Sequence, residues 1–341
     1  MARQWTGEQI LDFVRAFQGS CVVAAACELD VFSKLSGRPQ TAGALAKSLG
    51  TDMRGTQILL DALAALAFLK KQGRRYRAAP GVAQWLAEAS PRNILPGVRH
   101  MANGIRRWGE LARTVQTGRP ARRRASIRGA AADTAAFIGA MHNFNPPAAV
   151  AATIARLGLM RLEHLLDVGG ASGTWTIGFL RAARQARATI FDLPEVIPMA
   201  RRRIAATELR GRVKFVAGDF YRHRLPKGAD FCWLSAIAHQ NSRRQNRRLF
   251  AKIYAALAPG GVLAIRDIVM DESRSSPAAG AMFAVNMLIA TKGGGTYTFG
   301  EFRQDLMQAG FRNVEFVHRD PGMYSLIRAR KPIARLRGPH K

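Results

Sequence analysis

The central segment of the chain reads Leu165-Leu166-Asp167-Val168-Gly169-Gly170-Ala171-Ser172-Gly173. Its apolar residues end at an aspartate, a glycine-rich turn follows, and residues 176–186 have the pattern of a helix. Open α/β sheets hold the nucleoside part of a cofactor on such a strand, turn and helix, because glycines let the backbone turn sharply and approach a ligand. The segment therefore predicts an α/β fold with a doubly wound, Rossmann-like domain. Dinucleotide, phosphate and adenosylmethionine sites all use a turn of this kind.

Three further strands are predicted downstream, at residues 188–191, 213–217 and 230–235. A polar residue stands at or just beyond the end of each strand. Because ligands bind at the carboxyl ends of the strands in such sheets, we expect these residues to meet at one edge. They are Asp192, Asp219, Ser235 and, four residues further on, His239.

The same residues favour a nucleoside cofactor that carries no phosphate. Asp192 can accept both ribose hydroxyl hydrogens, Asp219 can accept from an exocyclic amine, and Phe220 can contact a flat purine. The turn lacks the G-x-G-x-x-G order of a pyrophosphate loop, and no G-x-x-x-x-G-K-[ST] phosphate cradle is present. We therefore predict S-adenosylmethionine as the cofactor. The predicted cofactor-binding residues are Gly169, Gly170, Asp192, Leu193, Asp219, Phe220 and Ser235.

Five motifs together resemble the class I S-adenosylmethionine-dependent O-methyltransferases. They are DVGGASG (167–173), FDLPEVI (191–197), GDFY (218–221), the segment around His239, and LAPGGVLAIRDIVM (257–270). Their order is that of the small-molecule group, which includes acetylserotonin, caffeate and polyketide hydroxyl methyltransferases. The resemblance runs from about residue 10 to about residue 329. It implies that LAPGG is a helix end, a turn and the start of a strand.

Composition indicates a soluble globular protein. The chain has 341 residues, of which 48% are hydrophobic and 22% charged, enough for two domains with their own cores. No uninterrupted apolar run reaches the roughly 18 residues of a membrane span, so we expect no membrane and a cytoplasmic protein. The three cysteines have neither a C-x-x-C spacing nor nearby histidines, so we expect no metal and no disulfide.

The formal net charge of +29 has two interpretations. The excess is uneven, since residues 99–128 hold nine arginines against a single acid, Glu110. Such a surface can bind nucleic acid by neutralising phosphates. Solvated arginine-rich helices explain the charge equally simply, and no aromatic and basic platform of the RNA-binding kind is present. We therefore expect no nucleic-acid partner.

The first 90 residues have the pattern of a winged helix. Helical spacing at residues 10–17, 41–50 and 58–66 precedes a predicted β-hairpin at residues 68–77 with its turn at Gln72-Gly73. A winged helix can place a helix in the major groove of DNA. The resemblance implies instead a dimerisation module that covers the partner's active site, so we expect a homodimer.

We divide the chain into four parts. They are a winged-helix dimerisation domain (1–100), a helical linker that lines the substrate pocket (101–160), the methyltransferase domain (161–331) and a basic tail (332–341). The resemblance places two helices against the substrate, at residues 137–145 and 282–289. The predicted substrate-binding residues are Trp108, Phe137, Met141, His142, Asn145, Met282 and Asn286.

His239 is the candidate general base for methylation of a small, aromatic or polyketide-like hydroxyl compound. Methyl transfer needs an oxygen nucleophile, and a histidine can remove its proton near neutral pH. The chain departs from the family pattern nearby, with Gln240 in place of an acid, Ser235 in place of a lysine and Thr296 aligned with an assisting glutamate. We therefore expect His239 to lack a carboxylate partner, so it either acts as a weaker base or only orients the acceptor.

Three alternatives remain open from the sequence. The same fold can serve N- or C-methylation, or a relative that does not methylate. An adenosylmethionine-responsive DNA-binding regulator built on the winged helix is the alternative from another class.

Overall fold

The computed structural model describes residues 4–158 and 162–333. The chain forms two compact units. One comprises Met1–Gly109 and Arg123–Phe144, and the other comprises Glu110–Arg122 and Asn145–Lys341. The proposed linker, residues 101–160, is shared between these units, and the proposed boundary at residue 100 lies within a helix. The basic tail lies outside the described residues except for Pro332 and Ile333.

Up to residue 158 the chain is mainly helical. In chain order, its elements are α1 (Gly7–Arg15), α2 (Phe17–Glu28), α3 (Val31–Lys34), β1 (Gln40–Thr41), α4 (Ala42–Leu49), α5 (Met53–Ala65), β2 (Leu69–Gln72), β3 (Arg75–Ala78), α6 (Val82–Leu86), α7 (Leu95–Trp108), α8 (Leu111–Thr117), α9 (Ala130–Asn143) and α10 (Pro147–Arg156). Strands β1, β3 and β2 form a small antiparallel sheet in that order.

Local sequence explains where the amino-terminal helices begin. The Thr41 hydroxyl accepts from the amide of Ala44 at 3.2 Å, and the Asp52 carboxylate accepts from that of Gly55 at 2.6 Å, so both helices α4 and α5 have a side-chain cap. The hairpin β2–β3 turns at the predicted Gly73. These elements are the ones that the sequence predicts for a winged helix.

Helix α1 buries none of its residues. Phe13 is 71% exposed, and its ring lies 5.7 Å from that of Trp5, centroid to centroid. The joined segment Gly7–Glu28 has 22 residues and a mean hydropathy of 1.4, long and apolar enough by length and composition to cross a membrane. Core helices of soluble proteins and signal sequences meet the same criterion, so this finding carries little weight.

From residue 162 strands and helices alternate. The elements are β4 (His164–Val168), α11 (Thr174–Ala182), β5 (Arg187–Asp192), α12 (Ile197–Ala205), β6 (Val213–Ala217), β7 (Ala229–Ser235), α13 (Arg243–Ala256), β8 (Leu257–Asp267), β9 (Val269–Met270), α14 (Ala278–Ala290), β10 (Tyr297–Thr298), α15 (Phe299–Gln308), β11 (Arg312–His318) and β12 (Ser325–Arg330).

Seven of these strands form one sheet in the order β11-β12-β8-β7-β4-β5-β6. Strands β4 to β8 run parallel, and β12 is antiparallel to β8. The strand order reverses between β4 and β7, which is the switch point where such sheets bind ligands. The predicted doubly wound, Rossmann-like fold is confirmed.

The LAPGG segment differs from the expectation. Strand β8 begins at Leu257, directly after α13, and Leu257 pairs with Ala229 while Val262 pairs with Phe231. Residues 258–261 therefore form a bulge inside the pairing, where the sequence predicted a turn ahead of the strand. A bulge accommodates the glycines and proline without ending the strand.

Candidate active site

The glycine turn after β4 is closely packed. Gly169 has a φ of 72°, and a Cβ added there would lie 2.6 Å from Cδ1 of Ile237. A Cβ on Gly170 would lie 3.0 Å from Cγ2 of Ile190. The turn therefore needs glycine at Gly169 both for its backbone conformation and for space.

Asp167 supports this turn from inside the sheet. The side chain is 2% exposed, and its Oδ2 accepts from the hydroxyl of Thr176 at 2.7 Å, which ties β4 to α11. Burial raises the pKa of Asp167 to about 7. The residue thus holds the turn in place and does not line the ligand edge.

Asp192 lies at the end of β5, beside the turn. Its Oδ2 accepts from the amide of Ala171 and its Oδ1 from the amide of Leu193, both at 2.7 Å. Burial raises the pKa of Asp192 above its ordinary value. A carboxylate has about four acceptor positions, so each oxygen keeps capacity for one more donor, as two ribose hydroxyls require. Leu193 is 38% exposed next to it and offers an apolar contact.

Asp219 and Phe220 follow β6 on the same edge. Oδ1 of Asp219 accepts from the amide of Tyr221 at 2.8 Å, which orients the carboxylate. The half-buried Phe220 ring lies 4.5 Å from the Tyr221 ring, centroid to centroid. One carboxylate and one ring edge therefore stand beside Asp192, as the sequence predicts for a purine.

His239 has a carboxylate partner, so the expectation that it has none is wrong. Its Nδ1 lies 2.8 Å from Oδ1 of Asp267, and its amide donates to Oδ2 of the same carboxylate at 3.3 Å. Asp267 is 1% exposed and also accepts from the amide of Ile268 at 2.8 Å. Because the carboxylate accepts at Nδ1, that nitrogen carries the hydrogen and Nε2 is left as the basic atom.

Asp267 was not predicted from the sequence, because the comparison with the family pattern covered Gln240, Ser235 and Thr296 instead. Strands β7 and β8 are parallel neighbours, and Ser235 lies opposite Arg266. The last residue of β8 therefore reaches the edge where the chain leaves β7 for His239. A strand that ends in an acid was visible in the sequence as Ala264-Ile265-Arg266-Asp267.

The backbone around His239 is held on two sides. The amide of Gly295 donates to the His239 carbonyl at 2.8 Å. The hydroxyls of Tyr221 and Tyr297 both donate to Asn241, one to its side chain and the other to its backbone carbonyl. The ring of Phe283 from α14 stands edge-on, 4.9 Å from the imidazole. The segment that carries His239 is thus fixed by contacts from several elements.

The predicted substrate residues fall into two sets. Met282 and Asn286 lie one turn apart on α14, the helix that also carries Phe283, and Met282 is 56% exposed. The first unit contains Trp108, Phe137, Met141 and His142, whereas the second contains Asn145, Met282 and Asn286. Within the first unit the Phe137 ring packs 5.1 Å from that of His100. Their contact with substrate stays a prediction.

We find no candidate metal centre in the part of the chain that the structure describes. Residues 4–158 and 162–333 contain no group of three or more histidine, cysteine, aspartate or glutamate side chains that could hold a metal ion.

Comparison with known proteins identifies the family of the chain. A family model described as an O-methyltransferase domain matches residues 108–312, and one described as an O-methyltransferase dimerisation domain matches residues 11–89. The tetracenomycin polyketide synthesis 8-O-methyltransferase TcmO of Streptomyces glaucescens is 34% identical over 89% of this chain and 91% of its own length. Acetylserotonin O-methyltransferase of Gallus gallus is 30% identical over 94% of this chain and 96% of its own.

A solved structure shows the same architecture with a methyl donor bound. Human N-acetylserotonin methyltransferase in complex with S-adenosylmethionine superposes with a TM-score of 0.79 at 26% identity, over 97% of this chain and 100% of that one. Asp192, with its free acceptor positions beside a turn that only glycine can form, fits this cofactor. The chain therefore belongs to the O-methyltransferase family and is an enzyme whose methyl donor is S-adenosylmethionine.

Proposed function

We propose that the acceptor is a small aromatic or polyketide-like hydroxyl compound. Among the relatives, TcmO is named for polyketide synthesis, and another, from Streptomyces sahachiroi, is named as a 3-hydroxy-5-methyl-1-naphthoate 3-O-methyltransferase. The observation that carries the proposal is the pairing of His239 with the buried Asp267. A hydroxyl must lose its proton to react well, and an oriented histidine supplies the base.

The residues divide the work between binding and proton transfer. S-Adenosylmethionine, when bound, supplies an electrophilic methyl group. Asp192 holds the ribose, while Asp219, Phe220 and Leu193 contact the purine. Nε2 of His239 takes the proton from the acceptor hydroxyl, and Asp267 keeps the imidazole in that tautomer and stabilises its cationic form. Alignment of the reacting atoms provides most of the remaining acceleration.

A panel of matched acceptors tests the proposal. Hydroxynaphthoate, catechol and hydroxyanthraquinone probes would be incubated with the enzyme and S-adenosylmethionine, beside analogues in which an amine replaces the hydroxyl. We expect mass spectrometry to find one added methyl group on oxygen, and little product from the amines. Methylation confined to nitrogen or carbon would contradict the proposal.

Cofactor affinity should depend on Asp192. Its replacement by alanine removes two charged hydrogen bonds to the ribose, so we expect binding of S-adenosylmethionine to weaken by about 2–3 kcal/mol. Isothermal titration calorimetry measures this loss. The control is Glu208→Ala, which removes an exposed carboxylate paired with Arg181. Equal affinity in Asp192→Ala and wild type would show that the ribose is held elsewhere.

Gly294 should be needed to keep His239 in place. A Cβ on Gly294 would lie 2.6 Å from the His239 carbonyl oxygen, whereas one on Gly295 would meet nothing within 4 Å. Neither glycine has a positive φ, so alanine tests space alone. We expect Gly294→Ala to lower kcat by about 10–100-fold, because a small displacement of a catalytic group is costly.

The matched control for this variant is Gly295→Ala. It keeps the amide that donates to His239 and adds a methyl group in open space, so its kcat should equal that of wild type. Cofactor affinity, measured by calorimetry, should be unchanged in both variants. Equal activities of the two variants would remove Gly294 from the support of His239.

The dimerisation-domain match supports a homodimer, and we propose that the exposed face of α1 contributes to its interface.

We also propose that nucleic acid is not a partner. Helix α5, the candidate recognition helix of the winged helix, has Arg54 as its only basic residue and carries Asp61, with Asp52 as its cap. The helix with its cap therefore holds one basic and two acidic side chains and offers phosphates no net positive charge. We propose in addition that the protein is cytoplasmic, as the sequence analysis expects.

A further inference from the structure

Arg266 places a buried cation at the carboxyl end of β8. The residue is 7% exposed, and its guanidinium carbon lies 3.6 Å from the ring centroid of Tyr324 and 4.7 Å from that of Trp175. Its Nη1 donates to the hydroxyl of Ser235 at 3.3 Å. Burial lowers the pKa of Arg266 below its ordinary value, which shows that the charge is held in a poorly solvated place.

This charge has no carboxylate partner within residues 4–158 and 162–333. Asp267 and Asp320 act on Arg266 only at longer range, and Asp267 is already engaged by His239. A guanidinium has five hydrogen atoms to donate, whereas among the described residues its hydrogen-bond acceptor is the Ser235 hydroxyl and its other contacts are the two aromatic rings. Because a buried charge is costly unless it is paired, the geometry favours an anionic group on a ligand.

The position of Arg266 in the sheet indicates which group that is. Strands β5, β4, β7 and β8 are consecutive neighbours, so Asp192, the glycine turn, Ser235 and Arg266 follow one another along the ligand edge. Successive residues of a strand point to opposite faces. Arg266 accordingly packs against Trp175 of α11, while Asp267 contacts His239 on the other face.

We propose that Arg266, together with Ser235, binds the carboxylate of the methionyl group of S-adenosylmethionine. The sulfur carries three groups, which are the ribosyl, the methyl and the methionyl chain. With the ribose on Asp192 and the methyl facing the acceptor at His239, the third group is directed to the opposite face, where Arg266 lies. A planar guanidinium matches a carboxylate with two parallel hydrogen bonds. The inference rests on the proposed binding of the ribose by Asp192.

Two ligands that differ in the amino-acid part test this role. S-Adenosylhomocysteine carries the carboxylate, whereas 5′-methylthioadenosine has the same adenosine and sulfur but no amino-acid group. We expect Arg266→Met to weaken binding of S-adenosylhomocysteine by about 10–100-fold, the range for charged hydrogen bonds, and to leave binding of 5′-methylthioadenosine unchanged. Calorimetry on the full-length protein gives both affinities.

Asp192→Ala separates this inference from the proposed ribose site. That variant should weaken both ligands, because both contain the ribose, whereas Arg266→Met should weaken only one. Arg266→Lys keeps the charge and provides a second variant, which should retain part of the preference for S-adenosylhomocysteine. Arg201→Met is the control, since Arg201 is exposed and its guanidinium lies over the Phe215 ring at 4.8 Å. Equal losses for the two ligands in Arg266→Met, or no loss for either, would overturn the inference.

Discussion

Replacement of His239 by glutamine should lower kcat by about 10²–10⁴-fold, the usual contribution of a positioned base. Glutamine can form a hydrogen bond with the acceptor but cannot take its proton at neutral pH. The loss should shrink as pH rises, because a phenolic acceptor then ionises without help. Affinity for S-adenosylmethionine should be unchanged, since His239 lies on the acceptor side. Initial rates across a pH series on both enzymes, with calorimetry for the cofactor, measure these effects.

The competing hypothesis is that His239 only orients the acceptor. In that case the loss does not recover at high pH, because orientation is independent of the ionisation of the acceptor. His164→Gln is the matched control, since His164 is the first residue of β4 and lies at the opposite end of that strand from the glycine turn. A His239→Gln enzyme as fast as wild type at neutral pH would exclude the residue from proton transfer.

Asp267→Asn should lower kcat by about 10²-fold or more, as expected when an orienting carboxylate is lost. Oδ1 of Asp267 accepts from the imidazole and from the amide of Ile268, and Oδ2 accepts from the amide of His239. An asparagine in either orientation replaces one of these acceptors by an NH₂ group. The NH₂ group then faces Nδ1 and favours the tautomer with the proton on Nε2, or it leaves a backbone amide unsatisfied.

A double variant makes this prediction more specific. If Asp267 acts through His239, the double variant His239→Gln with Asp267→Asn should be no slower than His239→Gln alone, because residues that work as a unit are not additive. Thermal unfolding of each variant separates loss of stability from loss of rate. Asp271→Asn, at a carboxylate that hydrogen-bonds Ser273 in the loop after β9, is the control. Additive losses would show that Asp267 affects the rate by another route.

The sequence predicted the strands that carry Asp192 and Ser235, because the signals for those strands are local. Apolar runs that end in Asp192 or Ser235 identify both the strand and the residue at its edge, and a parallel sheet brings such ends together. The partners His239 and Asp267 are 28 positions apart in the chain, and their pairing depends on the order of the strands. Nothing in the spacing along the chain gives that order. Comparison of Gln240 and Thr296 with the family pattern therefore led to the wrong expectation that His239 lacks a carboxylate partner.

Asp167 could not be distinguished from Asp192 by its place in the sequence. The residue stands at the end of an apolar run, like Asp192, yet Asp167 is fully buried whereas Asp192 is half-buried. Which carboxylate turns inward depends on the Thr176 hydroxyl one turn into α11. The buried Arg266 could also not be recognised from the sequence, because Trp175 and Tyr324 come from distant segments.

The proposed dimer contact of helix α1 makes the stability of the protein depend on its concentration. The helix has nine residues and buries none of them within its unit, although large apolar side chains cover it. With this face as the proposed dimer contact, the helix gains its stability from a second molecule, so mass action makes the unfolding midpoint rise with protein concentration. Dilution then weakens the amino-terminal end of the enzyme before it affects the seven-stranded sheet.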